Sequence, residues 1–180
     1  MPAGLSCIKH EVVRHHKTTM TYPEFTNTFK RQVDKLSYQR QIELSISVCK
    51  KLFFDYQKFY EENRWGNPDI LLDAINLVEQ SRTIKPNRTE LETILWKINE
   101  VTPDTENFGG ANYAVNASGA IYETIEFLLD RKTEHIYNIG TYLIETVDSK
   151  VQDDDDLSED EIDQHPKMVE IKNYLLAETE

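Results

Sequence analysis

Apolar residues recur at helical spacing along nearly the whole chain. Phe25, Phe29, Val33 and Leu36 predict one helix, following an abrupt change of texture at Met20. Ser37 is placed to cap the next, in which Tyr38, Ile42, Ser45, Cys49 and Leu52 share a face widened by Ile46 and Val48. The aromatic run from Phe53 to Trp65 extends that pattern, with Gly66 as its expected stop. Asp55 offers a fresh cap inside the run, so one kinked helix and two short ones both fit. Asn67, Pro68 and Asp69 then form a helix start, because Asn caps, Pro tolerates the first position and an acid suits the positive end. Thr89 and Glu92 read as a capping box ahead of Leu91, Ile94, Leu95 and Ile98.

The segment 109–131 is the most apolar around its circumference, which predicts a central helix. Its first half is rich in Gly, Ala and Ser, and Gly119 marks an expected close crossing. Thr133 is a candidate cap for a helix with Ile136, Ile139, Leu143, Val147 and Val151 inward. Ser158 and Glu161 form another capping box, and Pro166 opens a last helix with Met168, Ile171 and Leu175 inward. No strand-like alternation or hairpin turn interrupts this sequence. The expected fold is all-α: a single compact domain of six to eight helices around the small-residue-rich central one. Residues 1–19 lack helical order and are expected to be either a flexible arm or a spurious upstream extension, outside a domain spanning 20–180 with an acidic loop near 152–163.

Composition narrows function by exclusion. With 39% hydrophobic and 29% charged residues the chain suits a soluble globular domain. It has no apolar run of membrane-spanning length and no apolar stretch of signal-peptide length near its start, so a cytoplasmic location is expected. Of the net −12, eight charges fall between Asp153 and Asp163. No basic stripe is present, which argues against direct nucleic-acid binding. Cys7 and Cys49 form no disulfide or metal framework, and Cys49 reads as a small core thiol.

Candidate chemistry is sparse. None of His10, His15, His16, His135 and His165 has a second histidine at i, i+4, and Glu134 and His135 are adjacent and point apart, so no metal or cofactor is expected. No nucleophile elbow or phosphate-cradling glycine loop occurs; the glycines of 109–110 lack the accompanying lysine and strand. Glu123, Glu126 and Asp130 form an acidic stripe on the central helix, either its solvent edge or a patch facing a partner. Glu159, Asp160 and Glu161 are explained by a helix's positive first turn. Asp153, Asp154, Asp155 and Asp156 are not. They lack the Gly hinge and final Glu of a calcium loop, which leaves a solvated loop or an electrostatic contact.

The helix from Cys49 to Val78, the segment "TPDTENFGGANYAVNASGAIYETIEFLL" and the ending "LSEDEIDQHPKMVEIKNYLLAE" resemble a bacterial domain-of-unknown-function family, number 416, also called YjaG-like, over about Leu36 to Glu178. The resemblance implies an all-helical bacterial protein without established activity and with no catalytic residues to carry over. The family's genomic neighbourhoods suggest signalling through histidine kinases and, beside toxin genes, an immunity role. The expected function is therefore non-enzymatic protein binding, with an immunity or antitoxin protein neutralising a basic, nuclease-type toxin as the favoured form. The alternative is a signalling adaptor associated with a sensor histidine kinase, and an unrecognised enzyme is third. The expected partner is a basic protein, met by Glu123, Glu126, Asp130 and Asp153 to Asp156, and a homo-oligomer is left open.

Overall fold

The structure is a computed structural model and describes residues 20–154 and 157–180. The expected N-terminal arm, residues 1–19, lies outside the described residues. Those residues form eight helices and no strand. None of these helices is long and apolar enough to cross a membrane.

Helix α1, Tyr22–Val33, begins at a capping box: Thr21 N donates to Glu24 Oε2 at 3.0 Å, and the Thr21 side chain accepts from Glu24 N. Phe25, Phe29 and Val33 are its buried face. Leu36 follows the helix and is partly buried against the same core. Helix α2, Tyr38–Asn63, starts at the Ser37 cap and runs unbroken for 26 residues. The break considered at Asp55 does not occur, because Asp55 sits mid-helix and binds Lys150 Nζ of another helix at 2.5 Å. The end comes before Gly66. Arg64 takes the left-handed conformation at φ 53° and sends its N–H to Tyr60 O at 2.8 Å. Gly66 is left-handed too, at φ 90°, and a Cβ there would lie 2.3 Å from Tyr56 Oη.

Helix α3, Pro68–Gln80, carries the Asn67 cap as expected. Helix α4, Arg88–Val101, is capped by Asn87, whose side chain accepts from Glu90 N at 2.9 Å. The capping box expected at Thr89 is displaced. Asn is at least as strong a cap as Thr, and Asn87 claims the start two residues earlier, leaving Glu92 to pair with Arg88 at 2.7 Å. Helix α5, Ala111–Asp130, follows. Helix α6 spans Glu134–Asp154, α7 Glu159–Gln164 and α8 Pro166–Ala177. The Thr133 carbonyl accepts from Ile136 N at 2.9 Å at the start of α6, and Ser158 and Glu161 close their capping box on α7. The acidic segment is therefore less of a loop than expected, since α6 continues through Asp154. Carboxylates at a helix C-terminus are disfavoured by the macrodipole. Burial of Val151 and hydrogen bonds to Asp148 and Asp153 hold the last turn.

Helix α5 is the centre of the molecule and packs against α2, α3, α4 and α6. Ala111, Ala114, Ala117 and Ala120 are buried along it, with Ile121, Ile125 and Phe127 continuing the contact. Small side chains let the neighbouring axes approach and leave their larger residues to fill the gap. Each such Leu, Ile or Phe contributes about 1.5–3 kcal/mol on burial. The polar groups that α2 and α5 carry inward turn back on their own helices: Ser45 onto Gln41 O, Ser118 onto Ala114 O, Thr124 onto Ala120 O. Gly119 marks a close approach, but to a ring rather than a backbone. A Cβ there would lie 2.6 Å from Tyr142 Cζ of α6.

Gly119→Leu should lower stability by about 1–3 kcal/mol by overpacking, and adding Tyr142→Ala should restore part of the loss in a denaturant titration. An additive pair would place the strain elsewhere. Tyr56, fully buried, donates to Val101 O at 2.5 Å and accepts from Asn67 N at 3.3 Å. Tyr56→Phe leaves that carbonyl and amide without their partner and should cost about 1–3 kcal/mol, read as a shift of the denaturation midpoint.

Candidate partner-binding site

The acidic stripe of α5 lies in the seam with α6. The turn between these helices is short, with Arg131 left-handed at φ 62°, so the end of one faces the start of the other. His135 uses that geometry. Its Nδ1 is 2.5 Å from Glu123 Oε2 and its Nε2 is 3.1 Å from Asp130 Oδ1. Asn138 donates to Glu123 Oε1 at 3.1 Å. Lys132 gives Asp130 both its ammonium, at 2.7 Å, and its backbone N–H, at 2.9 Å. These Lys132 hydrogen bonds, with His135 adding to them, hold the Asp130 carboxyl down at about 2. Glu126 is half-buried and stands beside Tyr122, whose hydroxyl it pushes up after burial has done so first. Glu123 and Asp130 therefore already have partners inside the chain. A search for histidine pairs along one helix misses this cluster, because it joins side chains twelve apart across a hairpin.

Asp153 is also engaged. It accepts the Tyr113 hydroxyl, and Tyr113 is pushed up to about 12 by burial first and then by that carboxylate. The two line a cleft of about 310 Å³ with Asp55, Lys58, Glu62, Lys150 and Lys167, where cations and carboxylates alternate. The Asp154 side chain, Asp155 and Asp156 lie outside the described residues. Among the described residues, no group of three or more His, Cys, Asp and Glu is arranged to hold a metal ion.

A second cleft, of about 670 Å³, opens between the start of α1, the outer face of α6, and α7 with α8. Asp163 closes its inner end. It accepts from Tyr22 N at 2.9 Å and from Lys172 Nζ at 2.5 Å. Lys172, only 3% exposed, also donates to Met20 O at 2.9 Å. One buried ammonium thus ties the entry of α1 to α7 and α8. Ile144, Ile162 and Met168 give the cleft an apolar floor, and Tyr22 and Pro23 an exposed wall. Around it stand Glu145, Asp148, Glu159 and Asp160. Among the described residues no Lys, Arg or His forms an ion pair with any of these four. Desolvation first, and then the Asp148 charge, push the Glu145 carboxyl above its ordinary value. The sequence pattern did not single out this site. Glu145, Asp148 and Gln152 lie off the apolar face of their helix and match no motif, and Glu159 and Asp160 are explained, with Glu161, by a helix's positive first turn. Only the α6–α7 hairpin brings them to one opening.

With this geometry in place, comparison with known proteins gives a consistent answer. The family described as Protein of unknown function (DUF416) matches residues 28–177, and the chain belongs to it. The uncharacterized protein YjaG of Escherichia coli K12 is 21% identical over 145 residues, which cover 78% of this chain and 74% of that protein. YjaG of Salmonella typhimurium is 21% identical over 124 residues, covering 67% of this chain and 63% of its own. The crystal structure of a DUF416 family protein from Shewanella baltica superposes with a TM-score of 0.74 at 24% identity, over 83% of this chain and 82% of that one. This likeness extends to the fold.

The depressed Asp130 makes a prediction about acid stability. A carboxyl lowered by its folded partners stabilises the protein above its ordinary value of 3.8, and that stability is lost as pH falls toward about 2. Asp130→Asn should flatten the thermal-stability profile across that window and leave its shape above pH ~5 unchanged. An unaltered acid limb would mean that Lys132 and His135 do not hold the carboxylate in solution.

Proposed function

We propose that this protein is a non-enzymatic binding protein whose acidic cleft receives a basic protein. Its finer form is an immunity protein that neutralises a toxin of the nuclease type. The observation that carries the reading is the contrast between the two groups of carboxylates. Glu123 and Asp130 of the α5–α6 seam are matched by His135, Asn138 and Lys132, whereas Glu145, Asp148, Glu159 and Asp160 surround an apolar floor with no paired cation among the described residues. Desolvation and the neighbouring Asp148 charge raise the Glu145 carboxyl, a cost to its charged form. A basic partner removes that cost and gains an apolar contact as well. Nuclease clefts are positive because they bind phosphates, so an acidic face competes for them and speeds encounter.

The test is affinity purification from a native bacterial host at low and high salt, followed by kinetics with the protein captured. A basic partner should associate at least ~10-fold more slowly with the variant E145Q/D148N/E159Q/D160N at low salt, the deficit shrinking as salt screens the charges. A partner that is acidic, or one whose association rate ignores this variant, would contradict the reading.

A further inference from the structure

The outer face of α2 carries a ridge that neither the core nor the α5–α6 seam uses. Lys50, Lys51, Phe54 and Lys58 are all exposed, at spacings that put them on one side of the helix. Phe54 is 70% exposed, as much as any large apolar side chain described. A lone exposed phenylalanine would mean little, but this one stands among three lysines in a chain of net −12. Asp55, the one acid between Lys50 and Lys58, is turned to Lys150 of α6 at 2.5 Å. Lys51 lies over the Tyr174 ring at 4.4 Å. Lys50 and Lys58 have carboxylates beside them, Glu79 at 2.5 Å and Glu62 at 3.8 Å, yet both lysine side chains stay more than half exposed. Exposed pairs of that kind hold weakly, so a better-placed acceptor can draw these ammonium groups away.

In charge and in shape this ridge is the counterpart of the acidic cleft. The ridge projects a ring between ammonium groups. The cleft sets an apolar floor of Ile144, Ile162 and Met168 among Glu145, Asp148, Glu159 and Asp160. At about 670 Å³ it has room for a phenyl ring and for lysine stems, which lie along apolar surface while their charged ends reach the carboxylates. No ridge residue lines the cleft of its own molecule. We infer that the Phe54 ridge of one copy docks in the acidic cleft of a second copy, with the ring on the apolar floor and Lys50, Lys51 and Lys58 against the surrounding carboxylates. Each copy carries −12, which opposes approach at long range. At physiological ionic strength charges further apart than about 8 Å are largely screened, so the local match outweighs the total. The contact joins unlike patches and is therefore heterologous. Being made of one ridge and one cleft, it is small and transient. It rests on the cleft being a binding surface, as proposed above, and a basic partner would compete with the second copy for it.

Sedimentation equilibrium of the full chain at about 0.15 M salt tests this. The weight-average mass should rise with protein concentration toward two chains or more. K51Q/F54S/K58Q removes the ridge and keeps the cleft, and E145Q/D148N/E159Q/D160N does the reverse. None of these positions is buried, so both variants should melt as the wild type does. Each alone should stay a monomer. Their equimolar mixture should regain association and stop at pairs, because one working ridge and one working cleft remain between them. A mixture as monomeric as its folded components would overturn the inference. So would a wild-type chain that stays monomeric at every concentration, or a ridge variant that associates as the wild type does. All these outcomes leave the partner test untouched, since it reads the capture of a different protein.

Discussion

The structure depends on enclosing α5. A helix that is apolar around most of its circumference must be surrounded, and its alanines allow α2, α3, α4 and α6 to do so at close range. Two of its three carboxylates, Glu123 and Asp130, consequently lie in one seam, at its junction with α6. Charges in such a place need partners, because a partly buried carboxylate without one is costly. His135, Asn138 and Lys132 supply them from the first residues of the next helix. The hairpin that completes the core thus also supplies partners to Glu123 and Asp130 of the central helix.

A second constraint acts at the periphery. Lys172 is buried among α1, α7 and α8, where its ammonium is held by Asp163 and Met20 O. Removing one partner of such a pair is far more damaging than never having had it. This pair fixes how the entry of α1 meets α7 and α8, and so builds the cleft. Among the described residues, Glu145, Asp148, Glu159 and Asp160 form no ion pair, and desolvation raises the Glu145 carboxyl.

Much of the fold was legible in the sequence. The inward faces of α1, α2, α3, α5 and α8, the Asn67 start and the Ser158 box all follow from periodicity and capping chemistry. The differences have local causes. Asn87 outcompeted Thr89 as a cap, Arg64 took a left-handed turn that was expected of Gly66, and Asp55 found Lys150 rather than starting a new helix. The site was far less legible. Glu123 and Asp130 could be placed on one stripe but not joined to His135, because that contact crosses a hairpin. The cleft carboxylates were hidden, Glu145 and Asp148 because they match no motif, Glu159 and Asp160 because a favourable helix start explains them, and only tertiary structure shows that they converge.

Among the described residues, the binding surface is therefore marked by a division of the carboxylates into those with partners and those without. Site-resolved NMR titration of the side-chain carboxyl groups measures it directly. Asp130 should titrate below its ordinary 3.8 and Glu145 above its ordinary 4.5 in the same sample. A Glu145 that titrates at or below 4.5 would mean that a cation or a well-solvated surface already satisfies it, and the cleft would lose its claim to be an unfilled site.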